Sequence, residues 1–536
     1  MSFLSVRFLL FVAITAVVYY LYPIKKNQWV VLLAASCSFY LFTGVKYIIY
    51  LLVTAATSYF AAVIIQNLNS VTKAALKENR QAWDKEQKKL FKEASKRKTR
   101  RIMVLALLVN FGILFILKYL NFLTETFGNL FGFSAPVLHL ILPLGISFYT
   151  FQAMGYVIDV YRGDVEAERN FGKLLLFISF FPQILQGPIS RYDQLACQLY
   201  DEHHVDFTRI KYGLELMLWG YFKKLVIADR AWVAIQTVIA APDSYSGTTL
   251  GFVVLLYALQ LYADFSAGID ITRAVAQILG IDMIQNFRQP YFANSLTDYW
   301  NRWHISLGAW MKNYLFYPIA LSQAASKVTK SIRSSRFGTT KAGAHIAVVL
   351  PGTVASLIIF LVVGIWHGAG WRYILYGVWN GGIIMLSMLL KPVFESVNRF
   401  LRVDTKSVEH HLFQIVRTFL LVCIGNITDL ARGGRDCFVW LRRILFEQNP
   451  VQGFLEIQGK LGLTAYDYRL LTACTILLYV VGILRERTPQ TPLRELLDRR
   501  LFLTRWIIIV CCLVAILVFG TYGPGFSASE FAYMQF

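Results

Sequence analysis

The chain has 536 residues, 56% of them hydrophobic, and carries a formal net charge of +21. A soluble chain of this length would divide into several charged-surface domains, whereas here the apolar residues gather into blocks near the roughly 20 residues that cross a bilayer. That excludes an ordinary soluble fold and predicts an all-α polytopic membrane protein. Its single domain, 1–536, would make about a dozen crossings, because only helices satisfy the backbone of such segments in lipid. The charge does not point to nucleic acid, since its basic residues collect in loops between apolar blocks, as the positive-inside rule expects.

In chain order, Phe8–Leu21 comes first. It has no small-x-small cleavage site, and Lys25 and Lys26 follow its apolar core, so it is a retained first crossing. Trp29–Thr43 and Tyr47–Ile65 follow. The basic stretch Lys73–Arg101 carries both signs of charge and predicts either an amphipathic helix lying along the membrane or a solvated cytoplasmic spacer. Met103–Leu120 and Val137–Val160 are the next clear crossings, with softer blocks at 172–189, 210–228 and 250–265. After the basic loop Lys327–Lys341 come Ile346–Ile365, then 371–391, 412–428 and 469–484. The basic loop Arg485–Arg505 precedes the last crossing, Trp506–Phe519. Placing the basic loops inside puts both termini, the tail 521–536 and His367 on the outer side. Parity does not resolve between 172 and 320.

Polar residues within the apolar setting are the functional candidates. Asp264, Asp270 and Arg273 stand in "YADFSAGIDITR", and Asp270 with Arg273 has the i, i+3 spacing of a helix-binding pair. Ser295 followed by Asp298 predicts a helix start, with Asp298 and Arg302 pairing at i, i+4. On that helix Trp300, His304 and Leu307 share a face, and Trp303 and Trp310 share a neighbouring one as core or interface anchors. So polar a helix predicts a tilted or re-entrant segment lining a wet cavity. In "GIWHGAGW", residues 364–371, His367 lies between two tryptophans. His304 and His367 are the histidines directly preceded by Trp, and the other six receive no role. A metal site lacks a supporting pair at ligand spacing, and the seven cysteines lack metal or redox spacing.

"DYWNRWHISLGAWMKNYLFYP" with "GIWHGAGWRYILYGVWNG" resembles the membrane-bound O-acyltransferase family, in the bacterial branch of alginate O-acetylation and teichoic acid D-alanylation. "LPLGISFYTFQAMGYVIDVYRG", "FFPQILQGPISR" and the terminal "FAYMQF" are similar to further blocks of that branch. The resemblance implies a helical bundle around a transmembrane tunnel, with 262–392 as its core. It implies His367 as the catalytic histidine and His304 as its partner in the tunnel. Asp264, Trp303, Trp366, Trp371 and Gly368 would line or support that tunnel. No cofactor is bound permanently; acetyl-coenzyme A or another acyl thioester is the donor substrate. An ordinary imidazole pKa of about 6.5 suits His367 to take the proton of an attacking hydroxyl. The glycines Gly364, Gly368 and Gly370 would let the acyl group approach the backbone, while Trp366 and Trp371 close the site against water. His304 orients His367, stabilises the oxyanion or relays the proton.

The resemblance further implies Tyr533 as an acyl relay on a tail that extends roughly 50 Å. The relay would serve an extracytoplasmic SGNH-type partner and a polysaccharide acceptor at a bacterial plasma membrane. Anchoring of the tail by its aromatic residues is the alternative reading. D-alanyl transfer is the alternative activity, and a transporter using Asp264, Asp270 and Arg273 as coupling charges is the alternative class.

Overall fold

Helices, turns and loops make up the computed structural model, and no strand occurs among the described residues, which are 3–42, 44–133, 136–138, 140, 142–184, 186–522 and 531. Among the described residues, seven helices are long and apolar enough to cross a membrane: Val45–Glu78, Lys85–Phe131, Gly247–Ile278, Lys341–His367, Val408–Leu430, Ala465–Arg487 and Phe502–Phe519. Trp371–Leu389 with Lys391–Phe400, bent by 62°, makes an eighth if the pair is one span. The protein is a multi-pass membrane protein. Several blocks expected as crossings fold as shorter pieces: Val6–Leu21 has 16 residues, and 172–189 divides into Phe171–Ser179 and Phe181–Ile184.

The chain forms two compact units, Met1–Leu214 with Ile271–Ile284, and Glu215–Asp270 with Gln285–Phe536. In the first, Lys85–Phe131 runs for 47 residues, about 70 Å at 1.5 Å per residue. That is more than twice a hydrocarbon core of about 30 Å, so its basic first turns extend beyond the core. Within Lys73–Arg101, residues 85–101 are helical and continuous with the apolar part of this long helix. A capping box starts it: Asp84 accepts from the Gln87 N–H at 2.7 Å, and Gln87 Oε1 accepts from the Asp84 N–H at 3.1 Å. Asn110 of this helix donates to Thr57 Oγ1 of Ile48–Glu78 at 2.9 Å.

The expected crossing Val137–Val160 is corrected. The helix there is Ile146–Arg162, buried along nearly its whole length, and Gly145 begins it with φ +72. A Cβ on Gly145 would lie 2.1 Å from the Ile184 carbonyl, so only glycine fits. Burial on all faces makes this a core helix whose amide Gln152 donates to the Phe177 carbonyl and accepts from Gln183, both at 2.8 Å.

In the second unit, Lys341–His367 and Trp371–Leu389 form an antiparallel hairpin. A Cβ on Gly364 would meet the Tyr373 carbonyl at 2.2 Å, and one on Gly377 would meet the Phe360 carbonyl at 2.5 Å. Small residues thus bring the two backbones together, the usual device where lipid supplies no hydrophobic force between helices. His367 is the last residue of the first arm.

Candidate active site

The segment around His304 is not one helix. Leu296–Arg302 and Ile305–Met311 are separate short helices, and His304 stands between them with φ +47 and ψ +53. The expected helical face shared by Trp300, His304 and Leu307 is corrected accordingly: the break turns the imidazole out of the helical series. A left-handed non-glycine residue is uncommon, although histidine tolerates the region better than most. Other local expectations hold. Ser295 accepts from the Asp298 N–H at 3.1 Å to cap the first helix, and Arg302 pairs with Asp298 at 3.0 Å.

Trp300 joins this segment to the hairpin. Its indole donates to Asn380 Oδ1 at 3.1 Å, and its ring packs 5.0 Å from Phe360 and 6.3 Å from Tyr376. The two histidine blocks, more than sixty residues apart in sequence, thereby meet. Trp366 touches both: its ring lies 6.1 Å from His304 and 5.1 Å from His367. Tyr376 covers His367 at 5.1 Å, and Phe265 lies edge-on to His304 at 4.9 Å. His304 is 1% exposed and His367 6%. The break at His304 lies outside the long apolar helices. There burial first, and the neighbouring His367 second, push the His304 imidazole down to about 3, so it stays neutral at working pH.

The remaining expected residues divide. Trp303 is buried 4.9 Å from Phe287 and stacked 5.6 Å from Tyr299, an aromatic floor beside His304. Trp310, also buried, packs on Tyr314 at 5.0 Å. Trp371 is 58% exposed, so the rings shielding His367 are those of Trp366 and Tyr376. Gly368 has extended backbone, and a Cβ there would strike the Tyr373 ring at 2.1 Å. Gly364 and Gly368 are accounted for by protein packing, not by room for an acyl chain. Tyr533 lies outside the described residues.

Asp264 belongs to a second polar centre. Lys224, fully buried on the π-helical turn Phe222–Ala228, contacts Asp264 at 2.6 Å and Asp229 at 2.8 Å. Lys223 contacts Asp270 at 2.8 Å and Ser266 at 2.7 Å. Sequence reading passed over both lysines as part of a soft crossing; two adjacent lysines inside an apolar block were the available signal. Thr521 and Phe531 reach the same turn. Thr521 donates to the Leu225 carbonyl at 2.9 Å, and the buried Phe531 ring lies 4.5 Å from the Lys224 ammonium.

Residues 49–334, just over half the chain, match the family described as MBOAT, membrane-bound O-acyltransferase. The chain belongs to that family. The matched span contains His304 and ends before His367. Among curated relatives, a probable alginate O-acetylase of Pseudomonas putida is 32% identical over 330 residues, 61% of this chain and 60% of the relative. A peptidoglycan O-acetyltransferase of Helicobacter pylori is 29% identical over 406 residues, 71% of this chain and 67% of the relative. A teichoic acid D-alanyltransferase of Bacillus subtilis is 28% identical over 300 residues, 54% of this chain and 69% of the relative. The chain spans about six tenths of the length of the alginate relatives. As a member of the membrane-bound O-acyltransferases, it carries its two Trp-flanked histidines in one buried, aromatic-walled cluster.

Proposed function

We propose that the protein is a bacterial membrane O-acyltransferase that moves an acetyl group from a cytoplasmic thioester to an extracellular or cell-wall polysaccharide. The observation that carries this reading is the pair His304 and His367, both buried and both against the Trp366 ring in a chain of this family. The relatives named as O-acetylating enzymes favour acetyl. Acetyl-coenzyme A is the donor at the inner face, and the basic loops lie on that side, with both termini outside.

His367 takes the proton of the attacking hydroxyl as its oxygen adds to the thioester carbonyl carbon. The carbonyl oxygen becomes negative, then the C–S bond breaks as the adduct collapses. The sulfur leaves as thiolate and recovers the proton from His367, so an ester and a free thiol result. Trp366 and Tyr376 exclude water that would hydrolyse the thioester. Tyr533 is the first acceptor. Thr521 and Phe531, which precede it in sequence, contact the Lys224 turn, and an extracytoplasmic SGNH-type enzyme collects the acyl group from Tyr533. D-alanyl transfer is the second reading, favoured by the D-alanyltransferase relatives.

The test compares ester-linked acetyl on cell-envelope polysaccharide for the native protein and His367→Ala at matched membrane levels. A fall to the level of a deletion strain is expected. Unchanged acetyl ester would overturn the reading, and an unchanged acetyl ester with lost D-alanyl ester would establish the second.

A further inference from the structure

Asn286 makes three contacts with the break at His304. Its backbone carbonyl accepts from the Ile305 N–H at 3.0 Å, its Oδ1 accepts from the Ser306 N–H at 2.8 Å, and its Nδ2 lies 3.2 Å from His304 Nδ1. Asn286, His304 and Ser306 are all at most 1% exposed. These contacts determine a proton's position. A backbone N–H only donates, so the amide atom facing Ser306 is the oxygen, and the atom facing His304 is the NH2. An NH2 also only donates, so His304 Nδ1 carries no proton and accepts. A neutral imidazole holds one proton, which therefore sits on Nε2.

We infer that Asn286 is a positioning residue that holds His304 as the Nε2–H tautomer, making it a hydrogen-bond donor and not a base. The inference rests on the acyl-transfer reading and deepens it. Of the roles open to His304, it selects donation to the negative oxygen of the tetrahedral adduct, and it leaves the hydroxyl proton to His367. Burial and His367 both oppose a charge on His304, and its own backbone carbonyl favours one. The Asn286 amide keeps the further proton off.

The same residue also supports the backbone. His304 occupies the cap position of Ile305–Met311 without a side-chain cap bond, and Asn286 satisfies two of the N–H groups that such a terminus exposes. An aspartate would serve that capping equally well. It would not serve the tautomer, and this separates the two roles. Asn286→Asp keeps an oxygen for Ser306 and the same shape, but turns an acceptor toward Nδ1. The proton then moves to Nδ1, and Nε2 loses its donor.

The experiment uses the full-length protein in detergent, labelled with 15N-histidine, with the His304 signals assigned by their loss in His304→Gln. In the native protein they should report a protonated Nε2 and a bare Nδ1; in Asn286→Asp, a protonated Nδ1. Thiol release from acetyl-coenzyme A, with cell-envelope polysaccharide as acceptor, should fall in kcat by roughly 10²–10³-fold in Asn286→Asp, with little change in KM. A protonated Nδ1 in the native protein, or an unchanged kcat in Asn286→Asp, overturns the inference. Equal thiol release by native protein and His367→Ala sinks the acyl-transfer reading instead, and the tautomer measurement still decides the role of Asn286.

Discussion

Lys224 and His304 are both buried side chains in one unit of the molecule, and they are held in opposite ways. Lys224 is clasped by Asp264 and Asp229, so its charge is neutralised within hydrogen-bond reach. His304 meets a neutral amide and the rings of Phe265 and Trp366. An ion pair of the first kind is spent on structure: its Coulomb energy offsets the desolvation of the partners and leaves nothing for a substrate. A neutral imidazole between aromatic rings has a low desolvation cost and keeps its chemistry available. Burial of a polar residue therefore does not mark function by itself; the partner's charge decides.

Substitutions should divide along the same line, one centre changing rate and the other stability. The largest effect is expected at His367: His367→Gln should lower kcat for thiol release by at least about 10²–10⁴-fold, the range general-base catalysis supplies, with the thermal midpoint in detergent unchanged. A shifted midpoint with intact kcat would reverse the assignment of this centre. Lys224→Met comes next. It leaves Asp264 and Asp229 without their cation and should cost about 3–5 kcal/mol, read as reduced membrane level and a lower midpoint. Activity per folded molecule should persist, and its selective loss would place the lysine in the chemistry.

His304 supplies a smaller, pH-dependent term. Its folded pKa lies below the unfolded value, so the unfolded chain binds the proton first, and stability falls as pH drops from about 6.5 toward 3. This one group contributes at most about 1.4 kcal/mol per pH unit in that window. Comparing midpoints at pH 7 and pH 5 should show the decline in the native protein and less of it in His304→Gln; identical slopes would break the argument. The smallest change is Trp300→Phe, which keeps the ring and removes the bond to Asn380, costing about 1 kcal/mol. A much larger loss would mean that this contact, and not hairpin packing, holds the two blocks together.

Local features of this protein were legible in its residues. Apolar length marked Ile346–Ile365 and Trp506–Phe519 as crossings, which lie within the long helices Lys341–His367 and Phe502–Phe519, and Ser295 with Asp298 marked a helix start, because helix length and capping depend on neighbours in sequence. The two Trp-His blocks could be picked out for the same reason. Their meeting could not, since it depends on Trp300 reaching Asn380 eighty positions away.

The break at His304 was equally hidden. Helical periodicity assigned that residue a face, and the donors from Ile305 and Ser306 to Asn286 turned it out of the helix. Lys224 stood unnoticed in an apolar run until Asp264 came within reach of it. Residue order alone determined a multi-pass helical membrane protein with two candidate histidines, because bilayer length and helical period are properties of a continuous segment. Only the tertiary structure decided which buried polar groups neutralise each other, because a charge or a proton is placed by partners that the chain brings in from far away.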